Sequence, residues 1–182
     1  MFDFIRIACA VPEVEVGNTE FNTQEIIKYI DINKDADIVV FPELCVTGYT
    51  CADLFFQRTL IDGAKAGIAE IAKATEETNS VVAVGAPVII GGQLYNCAVL
   101  MSKGKVDGIS VKTFIPTYNE YYEKRWFSSA ADLKCSSICS DELGLDGEYE
   151  IPVGNNLVFD YSGVKIGAEI CEGLWAPLPP ST

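Results

Sequence analysis

Ile38-Val39-Val40-Phe41-Pro42-Glu43 is a short, unbroken apolar run stopped by a proline and a carboxylate. An apolar run of this length without alternation is the pattern of a buried strand. A strand that ends on Pro-Glu places a charged group at the strand's carboxyl end. Upstream, Ile5 to Val11 reads as an opening strand. Between the two, Asn22 is expected to cap a helix, with Glu25 completing a capping box and Ile26, Ile27 and Ile30 forming its apolar face. Downstream, Ile61, Ala64, Ile68, Ile71 and Ala72 recur at helical spacing within a second helix, Leu60 to Thr78. Val81 to Gly85 repeats the buried-strand pattern. Gly91-Gly92 turns the chain into Leu94 to Leu100, and Lys103-Gly104-Lys105 turns it again into Val106 to Val111. Pro116 to Pro152 is expected to be a long irregular excursion. Leu157 to Tyr161 and Lys165 to Ile170 then form a hairpin around Ser162-Gly163, whose second strand delivers Cys171. Strands and helices alternate first and hairpins follow, so the expectation is an α/β domain with helices packed on a mixed sheet.

The 182 residues suit a single domain, with 49% hydrophobic and 21% charged residues. Thirteen basic against 26 acidic residues leave a net charge of −13, which repels nucleic-acid phosphates and anionic lipid. No apolar run approaches the roughly 20 residues that span a bilayer. The start, Met1-Phe2-Asp3-Phe4, lacks the basic flank of a signal peptide, and a cytoplasmic protein is expected. Histidine is absent. That removes Cys/His zinc sites and every Cys-His or Ser-His catalytic pair. The seven cysteines (Cys9, Cys45, Cys51, Cys97, Cys135, Cys139 and Cys171) are irregularly spaced and form no disulfide framework of a recognisable kind. The chain closes on Pro177-Leu178-Pro179-Pro180-Ser181-Thr182, an odd terminus, so a fragment of a longer protein is expected.

Glu43, Lys112 and Cys171 each follow a strand, and residues at the carboxyl ends of neighbouring strands converge on one crevice. An acid, a lysine and a cysteine there make a coherent site without histidine. A free thiol is only a few per cent thiolate at neutral pH. Glu43 can take the thiol proton and later return it to a leaving amine. Lys112 and the backbone N–H of Glu172 can hold an oxyanion, where loss of one donor typically costs on the order of 10² to 10³ in rate. Taken singly, each residue has a plainer explanation: a buried thiol, a helix-terminus carboxylate, a solvated lysine.

The words around them carry more. Phe41-Pro42-Glu43-Leu44-Cys45-Val46-Thr47-Gly48-Tyr49, Lys112-Thr113-Phe114-Ile115-Pro116 and Gly167-Ala168-Glu169-Ile170-Cys171-Glu172 resemble, in order, the glutamate, lysine and nucleophile motifs of the nitrilase (carbon–nitrogen hydrolase) superfamily. Tyr118 to Phe127 and Cys171 to Pro177 resemble the glutaminase domain of the glutamine-dependent NAD synthetase family. The resemblance implies an α-β-β-α sandwich, incomplete at its carboxyl end and occupying residues 1–182, with the synthetase domain absent from this chain. It implies hydrolysis of L-glutamine through a thioester at Cys171, with Glu43 as base, Lys112 at the oxyanion, Glu120 as the second glutamate orienting Lys112, and Tyr118 and Glu172 at the substrate. It also implies ammonia transfer to a synthetase domain of the same polypeptide and a homo-oligomer when full length. No cofactor serves the glutaminase half, while ATP and Mg²⁺ serve the synthetase step. Gly173 replaces the aspartate common two residues after the nucleophile and is expected to loosen that loop. A hydrolase of another small amide, or a non-catalytic fragment or interaction module, are the alternative readings. The isolated chain is expected to be inactive and poorly folded.

Overall fold

The computed structural model describes residues 4–180; the expectations about Met1–Asp3 and Ser181–Thr182 fall outside them. Among the described residues, nine strands and two α-helices are arranged around one principal sheet. In chain order these are β1 (Ile7–Cys9), α1 (Thr19–Ile32), β2 (Ile38–Val40), α2 (Arg58–Ala74), β3 (Val81–Ile90), β4 (Gln93–Ser102), β5 (Lys105–Val111), β6 (Ser137–Cys139), β7 (Glu150–Gly154), β8 (Phe159–Tyr161) and β9 (Val164–Ile166). The large sheet has the order β1-β2-β3-β4-β5-β7-β6, and β8-β9 form a separate pair. β1, β2 and β3 are parallel, β3-β4-β5 is an antiparallel meander, and β7 is parallel to β5. Two successive reversals make β5 run in the same direction as β2. The segments that follow β2 and β5 therefore leave the sheet at the same end.

Alternation along the strands separates the two faces of the sheet. Val39, Val82, Val84, Val99, Met101 and Ile109 are buried on the face covered by the helices, against Ile26 and Ile30 of α1 and Ala64, Ile68 and Ile71 of α2. The opposite face is built of smaller residues: Ala83 pairs with Leu100, Gly85 with Ala98, Leu100 with Gly108, and Ala98 with Ser110. A Cβ at Gly108 would lie 2.7 Å from the Phe159 ring, so glycine is what lets β8 settle on this second face. Among the described residues, no helix is long and apolar enough to cross a membrane.

Three local expectations are corrected. The cap of α1 is Asn18, one turn before Asn22, and its side chain accepts from the Phe21 N–H at 3.1 Å. Asn22 is instead buried inside the helix, where it bonds the Glu15 backbone and the Val46 carbonyl at 3.1 Å. Residues 116–152 contain β6 and the start of β7, which extend the sheet. Pro152 hides β7 because a proline inside a run argues against a strand. The strand before Cys171 ends at Ile166, so Gly167–Ile170 reaches the nucleophile position as extended chain without a ladder. Pairing stops at Ile166 because its partner Phe159 is where β8 begins, and the chain before Phe159 is outside the ladder.

Candidate active site

Glu43 leaves β2 and crosses the second face of the sheet over β3. The crossing depends on Gly85, where a Cβ would lie 2.2 Å from the Leu44 nitrogen and 2.5 Å from the Pro42 carbonyl oxygen. The Phe41 N–H bonds the Ala83 carbonyl at 2.9 Å, and the Val46 N–H bonds the Gly85 carbonyl at 3.2 Å. Leu44 adopts a left-handed backbone, with φ 51°. These constraints carry the Glu43 side chain past β3 to β4 and β5.

Lys112 is the first residue after β5, and its N–H bonds the Asn96 carbonyl of β4 at 2.9 Å. It is 2% exposed. Its Nζ donates to Glu43 Oε1 at 2.6 Å and to Glu123 Oε1 and Oε2 at 2.8 and 2.9 Å. Burial acts to lower its pKa, but the two carboxylates outweigh that and hold it above the ordinary lysine value. Lys112 is therefore a fixed cation. The Tyr49 hydroxyl donates to Glu123 Oε1 at 2.6 Å, and burial together with that bond pushes the phenol pKa up.

Glu123 replaces Glu120 as the partner of Lys112. Glu120 is exposed, whereas Glu123 is 2% exposed on a short 3₁₀ turn, Glu123–Arg125. The turn is tied back by the Glu123 N–H to the Pro116 carbonyl at 3.1 Å. Both glutamates lie in the same Tyr118–Phe127 segment, and sequence spacing alone does not say which one turns inward. Phe127, buried against Phe55 at 4.8 Å between ring centroids, anchors the segment and sets that choice.

Cys171 opens a 3₁₀ turn, Cys171–Trp175, with φ 47°. For a residue other than glycine this is an uncommon backbone state. It shares with Glu43 a cavity of about 290 Å³ lined also by Ala83, Gly85, Ala98 and the 166–170 segment. Burial first, then the Glu43 carboxylate, raise its thiol pKa. Lys112 and a backbone hydrogen bond from Glu172 oppose them without cancelling the shift. At neutral pH the group is mainly a thiol that needs a proton acceptor. Gly173 closes the turn through its N–H to the Ile170 carbonyl at 3.0 Å, and a Cβ there would meet nothing nearer than 3.7 Å. The loop expected to be loosened by Gly173 is thus closed by a backbone hydrogen bond.

Tyr118 and Glu172 also meet. The Tyr118 hydroxyl donates to Glu172 Oε2 at 2.7 Å, and Trp175 Nε1 donates to the same oxygen at 3.2 Å. Tyr118 is 48% exposed, and its bond to Glu172 pushes the phenol up to about 12. Of the remaining cysteines, Cys97 borders the cavity shared by Glu43 and Cys171, and the others do not line it. Cys45, Cys51 and Cys97 are buried in apolar clusters, Cys9 and Cys135 are exposed and Cys139 is partly exposed. Sequence reasoning missed Asn96, Tyr49 and Glu123. The signal for Asn96 was a polar residue inside the apolar run of β4.

Residues 6–180 match the carbon–nitrogen hydrolase family. The glutamine-dependent NAD(+) synthetase of Mycobacterium leprae is 30% identical over 183 residues, covering 98% of this chain and 26% of that protein. The crystal structure of a glutamine-dependent NAD(+) synthetase from Cytophaga hutchinsonii superposes with a TM-score of 0.78 at 32% identity, over 92% of this chain and 28% of that one. The chain thus spans about a quarter of the length of these relatives. The NitN amidase from Nesterenkonia sp. AN1 shares the fold, with a TM-score of 0.66 at 17% identity over 96% of this chain and 60% of that one. The architecture is that of the nitrilase-type α-β-β-α sandwich. With 175 of its residues matched by the family and its carboxylates and lysine gathered beside one cysteine, the chain belongs to the carbon–nitrogen hydrolases.

Proposed function

We propose that this chain carries the glutamine-hydrolysing chemistry of a glutamine-dependent NAD synthetase, with Cys171 as nucleophile. The observation that carries the reading is Lys112, buried and clamped between Glu43 and Glu123, with Glu43 lining one cavity with Cys171. Glu43 takes the Cys171 proton as sulfur attacks the amide carbon. The carbonyl π pair moves to oxygen, where Lys112 and the Glu172 N–H stabilise it. As the C–N bond breaks, Glu43 returns the proton to nitrogen, and ammonia leaves a glutamyl thioester. Water then attacks the thioester, Glu43 takes its proton, and glutamate and the free thiol are released. Base, cation and nucleophile are all side chains, and this half-reaction is written without metal or organic cofactor.

Glutamine is favoured among amides by two considerations. The Mycobacterium leprae relative at 30% identity and the Cytophaga hutchinsonii structure at 32% identity are glutamine-dependent NAD(+) synthetases. Glu172, held by Tyr118 one residue beyond Cys171, offers a carboxylate suited to the α-ammonium of an amino-acid substrate. In the longer protein the ammonia would amidate deamido-NAD at the expense of ATP with Mg²⁺, in a synthetase domain of the same polypeptide. Residues 1–182 are read as part of one hydrolase domain of a cytoplasmic homo-oligomer.

The test compares ammonia release from glutamine, glutaramate and simple aliphatic amides, with Cys171→Ala as control. Glutamine should be preferred over glutaramate, which lacks the α-amino group, and Cys171→Ala should release nothing. Equal turnover of glutamine and glutaramate would move the reading to a general small-amide hydrolase. Turnover by the alanine variant would remove Cys171 from the mechanism. A longer polypeptide assayed in parallel tests the expectation that residues 1–182 alone are inactive.

A further inference from the structure

Asn96 is wholly buried on β4, with Tyr95 and Cys97 buried on either side. By the strand alternation it shares a face with Ala98, the face that Glu43 crosses. Its Nδ2 donates to Glu43 Oε1 at 2.6 Å, the same oxygen that accepts from Lys112 at 2.6 Å. No donor among the described residues reaches Glu43 Oε2. The Asn96 Oδ1 is itself buried without a hydrogen-bond partner. A buried amide that leaves its acceptor unsatisfied is costly to the fold, and an apolar residue of similar size would suit this strand better. What the amide contributes is the donor aimed at the carboxylate.

We infer that Asn96 is the positioning residue of the general base: by anchoring Glu43 through Oε1 together with Lys112, it makes Oε2 the oxygen that exchanges protons with Cys171. The inference rests on the amide-hydrolase reading given above. A carboxylate held by one donor can turn about its terminal bond, while two donors converging on one oxygen fix both the plane and the free lone pairs. Oε2 then takes the thiol proton, returns it to the leaving nitrogen, and repeats the exchange with water, while Oε1 stays bonded throughout. Asn96 acts only through Glu43.

Asn96→Leu removes the donor and the orphaned acceptor together while keeping the number and branching of heavy atoms. It should leave the melting temperature unchanged or raised and lower kcat on the order of 10²-fold, with KM unaltered. A residue needed only for packing would lower the melting temperature and kcat together, and that result, or wild-type kcat in this variant, overturns the inference. Asn96→Asp keeps the shape but replaces the donor, and it decides the matter if the leucine variant fails to fold: it should lose turnover to a similar extent, and retained turnover overturns the inference. A crystal structure of the variant supplies a readout independent of activity. Glu43 should leave its wild-type rotamer, and an unmoved carboxylate refutes the role. The variants are therefore compared in the longer polypeptide; if its wild type hydrolyses no amide, that counts against the functional reading, and the Glu43 rotamer in the variant then decides the role of Asn96 by itself.

Discussion

Glu123→Gln and Glu120→Gln are chemically identical changes three residues apart, and the structure assigns them opposite consequences. Glu123 accepts from Lys112 at 2.8 and 2.9 Å and from Tyr49 at 2.6 Å, with 2% of its surface exposed. An amide in its place can still accept through one oxygen, but because Lys112 bonds both carboxylate oxygens its NH₂ faces the ammonium in either orientation, donor against donor. Breaking a buried ion pair costs about 3–5 kcal/mol. Because Lys112 keeps Glu43 at 2.6 Å, the lower end, about 3 kcal/mol, is expected. For a chain of this size that is roughly 6–12 °C in melting temperature. The freed ammonium should also lose its aim and lower amide turnover on the order of 10²-fold. Glu120 is exposed, so Glu120→Gln should stay within about 0.5 kcal/mol of wild type. Thermal unfolding followed by circular dichroism, with ammonia release on the same samples, measures both. If Glu120→Gln is the more damaging substitution, or Glu123→Gln melts like wild type, the geometry of the carboxylate clamp is wrong.

Lys112→Met leaves the buried Glu123 and the half-buried Glu43 without their cation and should cost about 3–5 kcal/mol; a variant that melts like the wild type would argue against the clamp. In the wild type, the Lys112 pKa is raised above 10.5, so its stabilisation is complete below the unfolded value and is lost only as pH rises through the folded one. Glu43→Gln should act with opposite signs on two readouts. Burial and then the Glu43 carboxylate raise the Cys171 pKa, so removing that charge lowers it, and iodoacetamide should alkylate Cys171 faster near pH 7.5. Amide turnover should meanwhile fall by about 10² or more, for want of a proton carrier. Alkylation that slows or stays the same would show that Glu43 does not bear on the thiol. Gly85→Ala drives a methyl group into the Pro42–Leu44 backbone and should abolish turnover with a clear loss of melting temperature; normal activity would mean that the crossing over β3 is not what delivers Glu43.

The elements that could be read from sequence are those set by local periodicity. The apolar run Ile38–Phe41, the 3.6-residue spacing in α2 and the glycine turns of the β3-β4-β5 meander each encode their own geometry. The three motif residues Glu43, Lys112 and Cys171 were legible for a related reason: each follows a strand or an extended segment, and their order along the chain matches a known family. What sequence left open was decided by long-range packing. Asn22 and Asn18 satisfy similar cap patterns, and only the fold shows that Asn22 is needed to bridge Glu15 and Val46. Glu120 and Glu123 differ in which way a short turn faces, and that depends on Phe127 seating against Phe55, 72 residues away in the chain. Asn96 meets Glu43 across 53 positions, because β3 and β4 lie side by side and Gly85 is bare enough for a second segment to cross. Local pattern therefore determined which residues carry charge and where strands end. The tertiary structure alone determined which charges touch, since contact between residues far apart in sequence follows from sheet order and close packing.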